Sequence, residues 1–143
     1  MLKYSARTVT YFKQLKVRKN RGKRDAIYSV CGLIRRNAIN RLKIRPGPSR
    51  SPASPHAHTR GGLRVIQFHV YKNTGVVGPI KFPRSRAYNK PVPAIHEFGG
   101  TVFTIGRIFR VLTFKKRPYM SKTIKALEGK IPKDFSLKLG KAL

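Results

Sequence analysis

Histidine, cysteine and acidic side chains are the residues of this chain that could do chemistry, and they are few. His56 and His58 are spaced like a fragment of a metal site. A third ligand is missing nearby, since the four acidic residues are far away in the sequence; they are Asp25, Glu97, Glu128 and Asp134. We therefore expect no metal ion and no other cofactor.

Enzymatic catalysis is poorly supported as well. Cys31 is the single cysteine, and it falls on the apolar stripe of a predicted helix, where a small, inert core residue is expected. Paired catalytic carboxylates would need two of the scattered acids to converge in a positive field that opposes the protonated form of an acid catalyst. The sequence has no glycine-rich phosphate loop. We predict that the chain is not an enzyme and has no small-molecule substrate.

Charge is the dominant feature of the composition. The 143 residues contain 33 Lys and Arg against 4 Asp and Glu, a net charge of +29. Such a chain repels itself and cannot neutralise its cations through internal ion pairs. The missing negative charge must come from phosphates, acidic neighbouring subunits or an anionic membrane surface, and it must lie within about 8 Å at physiological salt.

Length and residue pattern restrict the chain to one domain and to the interior of the cell. A chain of this length fits one domain with one core. One cysteine excludes an internal disulfide, so an intracellular site of assembly is expected. Apolar runs are too short for a membrane span, and Lys3 and Arg7 interrupt any signal peptide.

A β-hairpin is the element that the rest of the chain must cover. Ile66, Phe68 and Val70 alternate onto one face of a strand, and residues 72–75 supply a turn before Val76-Val77. An isolated hairpin is marginally stable in water. Another apolar surface must therefore pack on that face.

An amphipathic helix starting at Asp25 is the expected cover. Apolar residues recur at helical spacing from Ile27 to Leu42, Asp25 can cap the start, and Pro46-Gly47 ends the helix. We expect residues 1–24 to form a separate basic arm or short helix, interrupted at Gly22. Within it, residues 16–24 either grip phosphate or an acidic partner, or form a solvated surface.

Two long irregular segments follow from the proline pattern. Residues 45–62, here called the arm, are too long and proline-rich for an ordinary connection. The arm is expected to lie across a neighbouring subunit, with a flexible solvent loop as the alternative. Residues 80–93 form a second basic loop.

The C-terminal half contains weaker signals. Ile95 and Phe98 are expected to face inward from a short helix or strand that Gly99-Gly100 closes, with Glu97 beside them as an internal partner for an arginine. Residues 101–114 favour two strands, or one strongly bent strand. Ser121 can cap a last helix.

That last helix is expected to turn Ile124 and Leu127 inward and to stop near Gly129 and Pro132, with an apolar tail beyond. Residues 25–143 are therefore predicted to form one α+β domain. A small antiparallel sheet is flanked by an N-terminal amphipathic helix and a C-terminal helix, with long proline-rich and basic loops.

Four motifs in this order resemble the small neck or tail-completion proteins of tailed bacteriophages. They are S-P-A-S-P-H-A-H-T-R-G-G-L (51–63), V-V-G-P (76–79), I-H-E-F-G-G (95–100) and K-R-P-Y-M (116–120) followed by a helix. Compared with the family pattern, Ala53-Ser54-Pro55 replaces a glycine and a double proline, and Lys122-Thr123 replaces proline-alanine. The resemblance covers residues 25–135.

The resemblance implies a structural virion protein, assembled in the host cytoplasm, that forms a homo-oligomeric ring in the neck. The ring would join the portal side of the head to the tail around the DNA channel. Its implied partners are other neck proteins (portal, adaptor or stopper), tail tube proteins and packaged DNA, with no membrane. The alternative is a basic nucleic-acid-binding protein of ribosomal or packaging type.

Three groups of site residues follow from this interpretation. Cations in the loops are candidates for contacts with a partner or DNA: Arg50, Arg60, Lys81, Arg84, Arg86 and Lys90. Residues of the arm are candidates for contacts between subunits: Ser51, Pro52, Pro55, His56 and His58. A structural role is expected for motif residues of the C-terminal half: Glu97, Gly99, Gly100, Arg117 and Pro118.

Overall fold

The computed structural model describes residues 6–47, 49–57, 62–80, 92–103 and 110–141, with side chains from Phe12 onward. Its elements in chain order are helix α1 (Ala6–Arg41), strands β1 (Ile66–Tyr71) and β2 (Thr74–Pro79), helix α2 (Val92–Phe98), strands β3 (Gly100–Phe103) and β4 (Val111–Phe114), and helices α3 (Met120–Leu127) and α4 (Ile131–Gly140). The predicted α+β class is confirmed. The described strands form two antiparallel ribbons, β1–β2 and β3–β4.

Helix α1 is longer than the sequence predicted. It runs for 36 residues from Ala6, so Asp25 lies inside the helix and does not cap it. Gly22 does not interrupt it either, because one glycine costs only about 1 kcal/mol and the surrounding Lys, Arg and Gln are good helix formers. From Ala6 onward, the predicted separate arm is therefore the first half of α1. The helix ends at Arg41, five residues before Pro46.

The β1–β2 ribbon packs on the second half of α1 as expected. Ile66 is fully buried in a cluster with Ala38, Leu42 and Tyr119, whereas the alternate residues of β1 are exposed. The Phe68 ring meets the Tyr28 ring edge to face at 4.8 Å. The alternation of apolar residues thus placed the correct face of β1 on the helix.

The turn of this ribbon approaches α1 closely. Strand β2 begins at Thr74, which leaves a tight turn of Lys72 and Asn73 with Lys72 at φ +50°. A Cβ atom on Gly75 would lie 2.3 Å from Cys31 Sγ and 2.9 Å from Ile27 Cγ2. Cys31 is buried, as predicted, and burial raises the pKa of its thiol. Glycine at position 75 therefore allows the ribbon to reach the helix.

Helix α4 is an element that the sequence analysis missed. Pro132 was interpreted as a stop, but it lies in the first turn of α4, where a helix leaves its backbone N–H groups unbonded. Helix α4 packs along α1, and Ser29 Oγ donates to Asp134 Oδ2 at 2.9 Å. An apolar cavity of about 340 Å³ lies between them, with Ile34 and Phe135 in its wall.

Helix α3 buries a different face from the one expected. Leu127 is buried as predicted, but Ile124 is 50% exposed and Thr123 is fully buried. Thr123 Oγ1 donates to the Tyr119 carbonyl at 2.7 Å. Residues 123 and 127 are one turn apart, so they share the inward side of the helix.

Two glycines of β2 provide a matched test of the ribbon's approach to α1. We expect Gly75→Ala to lower the free energy of unfolding by about 1–3 kcal/mol, because its Cβ overpacks against Cys31 and Ile27. A Cβ on Gly78, in the same strand, meets nothing within 4 Å. Gly78→Ala should therefore change stability by less than about 1 kcal/mol in urea unfolding. Equal losses in the two variants would contradict the close approach.

Candidate interaction surfaces

The carboxylate of Glu97 joins two elements that are distant in the sequence. It accepts hydrogen bonds from the backbone N–H groups of Tyr119, Met120 and Ser121, at 3.0, 3.1 and 2.8 Å. The first turn of a helix leaves such groups unpaired, and the helix dipole favours a negative charge there. Glu97 of α2 therefore caps α3. The described partners are thus neutral donors at the start of α3, the three backbone N–H groups and the Ser121 side chain, where an arginine was expected. The cap was predicted to be Ser121.

Ionisation follows from this arrangement. Burial raises the pKa of Glu97, but the hydrogen bonds from the Ser121 side chain and from the three backbone N–H groups outweigh burial and bring the pKa below its ordinary value. Burial and the neighbouring Glu97 charge raise the pKa of Tyr119 to about 12. The cap is thus ionised at neutral pH, beside a neutral, fully buried tyrosine.

The described part of the arm lies against residues 116–122, which lead into α3 and form its first turn. Its prolines lack N–H groups, so it is held by serine hydroxyls and by its own carbonyls. Four side-chain hydrogen bonds join the two segments: Ser51 Oγ to Lys116 O at 3.0 Å, Ser54 Oγ to Pro118 O at 3.2 Å, an Arg117 guanidinium N–H to Ser49 O at 3.1 Å, and Lys122 Nζ to Pro52 O at 2.6 Å.

Ala57 of the arm is also hydrogen-bonded to residues 43–45, which follow α1. Ala57 N–H donates to Lys43 O at 3.0 Å, and Arg45 N–H donates to Ala57 O at 3.3 Å. Pro55, a predicted contact between subunits, is fully buried within its own chain. The proline-rich segment covers its own domain at this position. Ser51 and Pro52 remain exposed and His56 half-exposed.

Gly99 and Gly100 let the chain turn tightly from α2 into β3. Both have positive φ, +67° and +106°. A Cβ atom on Gly99 would lie 2.8 Å from both Lys116 N and Phe114 O. Side chains are disfavoured at such angles, so glycine is the favoured residue at both positions. We call residues 49–57, 95–100 and 116–122 together the junction.

Phe98 at the junction does not face inward as predicted. Ile95 is buried, but Phe98 is 79% exposed. Aromatic side chains are enriched in protein interfaces, so the exposed Phe98 is a candidate contact for another protein.

His96 is a residue of α2 that is hydrogen-bonded to the segment before α3. Its carbonyl accepts from Arg117 N–H at 2.7 Å. Burial and the positive charge of Arg117 lower the pKa of His96 to about 4. His96 is therefore neutral at physiological pH.

The predicted partner contacts lie mostly outside the described residues. Arg50 is exposed, whereas Arg60, Lys81, Arg84, Arg86, Lys90 and His58 are outside the described ranges. His56 Nδ1 lies 3.3 Å from Gly47 O. Across the described residues, no three His, Cys, Asp or Glu side chains are grouped as metal ligands.

The first half of α1 forms a charged surface, in addition to the loop cations, that was only partly predicted. The first half of α1, from Phe12 to Arg24, carries seven cations and no acid, and nearly all of its side chains are exposed. The sequence predicts a basic character for residues 16–24, but in a segment apart from the helix.

Comparison with known proteins gives no relative. No protein-family model matches the chain, and no curated protein or solved structure is significantly similar to it. Within the described part of the chain, no helix combines the length and the apolar character that crossing a membrane requires.

The cap predicts an acid-sensitive stability. We expect Glu97→Gln to lower the free energy of unfolding by about 1–2 kcal/mol at pH 7. Because the folded-state pKa of Glu97 is lowered from 4.5, the wild-type advantage is complete above pH 4.5 and disappears as the pH falls through the folded-state value. Urea titrations of both proteins at several pH values measure this difference in the free energy of unfolding. Glu128→Gln, exposed at the end of α3, should show no such loss.

The lowered pKa of His96 predicts a second pH dependence of stability, at higher pH than that of Glu97. The folded protein binds this proton only near pH 4, while the unfolded chain binds it near 6.5. Stability should therefore be constant above pH 6.5 and fall as the pH drops from 6.5 to 4. Replacing the imidazole in His96→Gln should flatten that interval. His69→Gln, at an exposed position of β1, should keep the wild-type slope, and an unchanged slope in His96→Gln would contradict the assignment.

Proposed function

We propose that this protein is a structural subunit of a ring in the neck of a tailed bacteriophage, where it joins the portal side of the head to the tail around the DNA channel. The observation that carries the proposal is the junction. Three of the four motifs that resemble neck and tail-completion proteins meet there: the arm binds the R-P-Y-M segment, and Glu97 of E-F-G-G caps the helix that this segment begins. Motifs far apart in the sequence thus form one structural unit.

The ribbons offer surfaces for contacts between subunits. Each has only two strands, so within the described residues every strand has an edge that no other strand covers. Tyr71, Val76 and Val111 on these ribbons are 63, 66 and 56% exposed. Open strand edges and exposed apolar side chains pair readily with another chain. A head-to-tail contact of this kind relates each copy to the next by a fixed rotation. It gives a closed ring when a whole number of these rotations returns to the first copy.

Phe98 is the strongest single candidate for such a contact. It is the most exposed large apolar side chain of the described residues, and it belongs to the E-F-G-G motif. The neighbouring junction holds its backbone rigid through Gly99 N–H, which donates to Ile95 O at 2.8 Å. An apolar anchor on a rigid support is typical of interface hot spots.

The charge of the chain fits an assembly with anionic neighbours. Copies of a chain with a charge of +29 repel one another unless acidic neck proteins or DNA lie close by. The exposed Arg50 and the predicted cations of residues 60–90 are the proposed contacts with them.

Ring formation tests this function directly. Negative-stain microscopy and mass photometry of the purified full chain, alone and with heads or tails of the phage that encodes it, should show closed rings or occupied necks. Phe98→Ser should weaken assembly while leaving the unfolding midpoint unchanged. Ile124→Ser, also exposed but on α3, is the matched control and should assemble normally.

Surface variants are preferable to deletion of the arm, because residues 49–57 are part of the folded domain. A protein that stays monomeric at high concentration and binds neither heads nor tails would refute the proposed function. Assembly by Phe98→Ser as efficient as by the wild type would refute the role of Phe98 alone.

A further inference from the structure

From its charge pattern we infer that residues 12–24 of α1, here called the basic rod, form a binding site for duplex nucleic acid. The inference is independent of the proposed function. It concerns a surface distinct from the loop cations considered above.

The basic rod carries an uncompensated charge. Its seven cations are Lys13, Lys16, Arg18, Lys19, Arg21, Lys23 and Arg24, and the segment contains no acidic residue. All are exposed except the half-exposed Lys23. None makes a side-chain hydrogen bond or ion pair with another residue of the described ranges. The rod is therefore held in a helix at a high charge density that its own chain does not neutralise.

The cations divide into two stripes on opposite sides of the helix. At 3.6 residues per turn, Arg18, Arg21 and Arg24 follow one side. Lys16, Lys19 and Lys23 follow the opposite side, and Lys13 lies between the two stripes. The half-buried Leu15 occupies the main uncharged sector.

This distribution of cations favours binding in a groove over binding on a flat surface. A helix that lies on a membrane separates an apolar face from a basic one. Phe12 and Val17, which are 62 and 66% exposed, point in widely different directions and are flanked by cations, so the rod has no such apolar face. An acidic protein surface would likewise meet one stripe and leave the other unpaired.

A duplex presents phosphates on both sides of one cleft. The major groove of DNA is about 12 Å wide and accepts an α-helix, whose diameter with side chains is about 10–12 Å. The rod is about 20 Å long at 1.5 Å per residue. A helix in the groove places one stripe toward each phosphate strand. The contacts are with the backbone, so the expected binding does not depend on base sequence.

Two triple variants of the full chain test both the site and its geometry. One is Arg18→Gln/Arg21→Gln/Arg24→Gln and the other is Lys16→Gln/Lys19→Gln/Lys23→Gln. Glutamine is a good helix former, and circular dichroism checks that α1 is retained. The control, Lys133→Gln/Lys138→Gln/Lys141→Gln, removes the same charge from exposed positions in α4 and just beyond its end.

Binding is measured by fluorescence anisotropy with a mixed-sequence duplex of about 20 base pairs, at salt concentrations between about 0.05 and 0.2 M. We expect each α1 triple to weaken binding at least about tenfold at 0.15 M salt, and to reduce the slope of log K against log salt by about 0.9 for each phosphate that the variant no longer neutralises. The α4 triple should change affinity less than about threefold, with a nearly unchanged slope.

Four results would overturn the inference. These are the absence of duplex binding at the lowest salt, equal losses in the α4 control, a loss confined to one α1 triple, and tighter binding to phosphatidylserine vesicles than to the duplex. A loss confined to one α1 triple would indicate that the helix lies on a surface with one stripe facing the ligand. Because the readout is duplex binding by the isolated chain, failure of this inference leaves the ring proposal intact, and failure of ring formation leaves this inference intact.

Discussion

Scarcity of negative charge is the constraint on which this structure depends. With four carboxylates for 33 cations, the fold cannot use a network of ion pairs. The described bonds of Glu97 and Asp134 are instead with neutral donors. These are backbone N–H groups and the Ser121 side chain for Glu97, and the Ser29 hydroxyl for Asp134. Each joins elements that lie far apart in the sequence. Both carboxylates are half-buried. A partly buried carboxylate that accepts hydrogen bonds contributes more to stability than an exposed ion pair, so two acids have a disproportionate effect on the fold.

The exposed cations of α1 are separated along the helix from its buried residues. The second half of α1 packs against the β1–β2 ribbon and α4, where Ala26, Cys31, Ala38 and Leu42 are buried. The first half has almost no buried side chain and a cation at about every second position. Repulsion within the rod is tolerated because a helix spreads its side chains around the axis, and because solvent screens exposed charges. One continuous helix thus connects the core to a surface of high positive charge.

The parts of the fold that depend on local pattern could be predicted from the sequence. Alternation at Ile66, Phe68 and Val70 identified the buried face of β1, and the stripe ending at Leu42 identified the second half of α1. The first half of α1 lacks an apolar stripe, so periodicity could not detect it. Helix α4 was missed because Pro132 is compatible with both a stop and a first helical turn. The junction was predicted only as separate motifs, since Glu97 and Tyr119 are 22 residues apart and no local rule relates them.

The junction and the basic rod impose opposite requirements on an assembly. In the proposed ring, contacts between copies through Phe98 and the open ribbon edges would bring chains together, while their rods and loops would repel. In the proposed ring these terms oppose each other until a polyanion or an acidic neighbour binds, because a ligand that binds the assembled state more tightly stabilises that state by mass action. If the chain forms the proposed ring, ring closure and polyanion binding would therefore be thermodynamically linked. The linkage follows from the charge and would hold whether the polyanion is packaged DNA or an acidic protein of the neck.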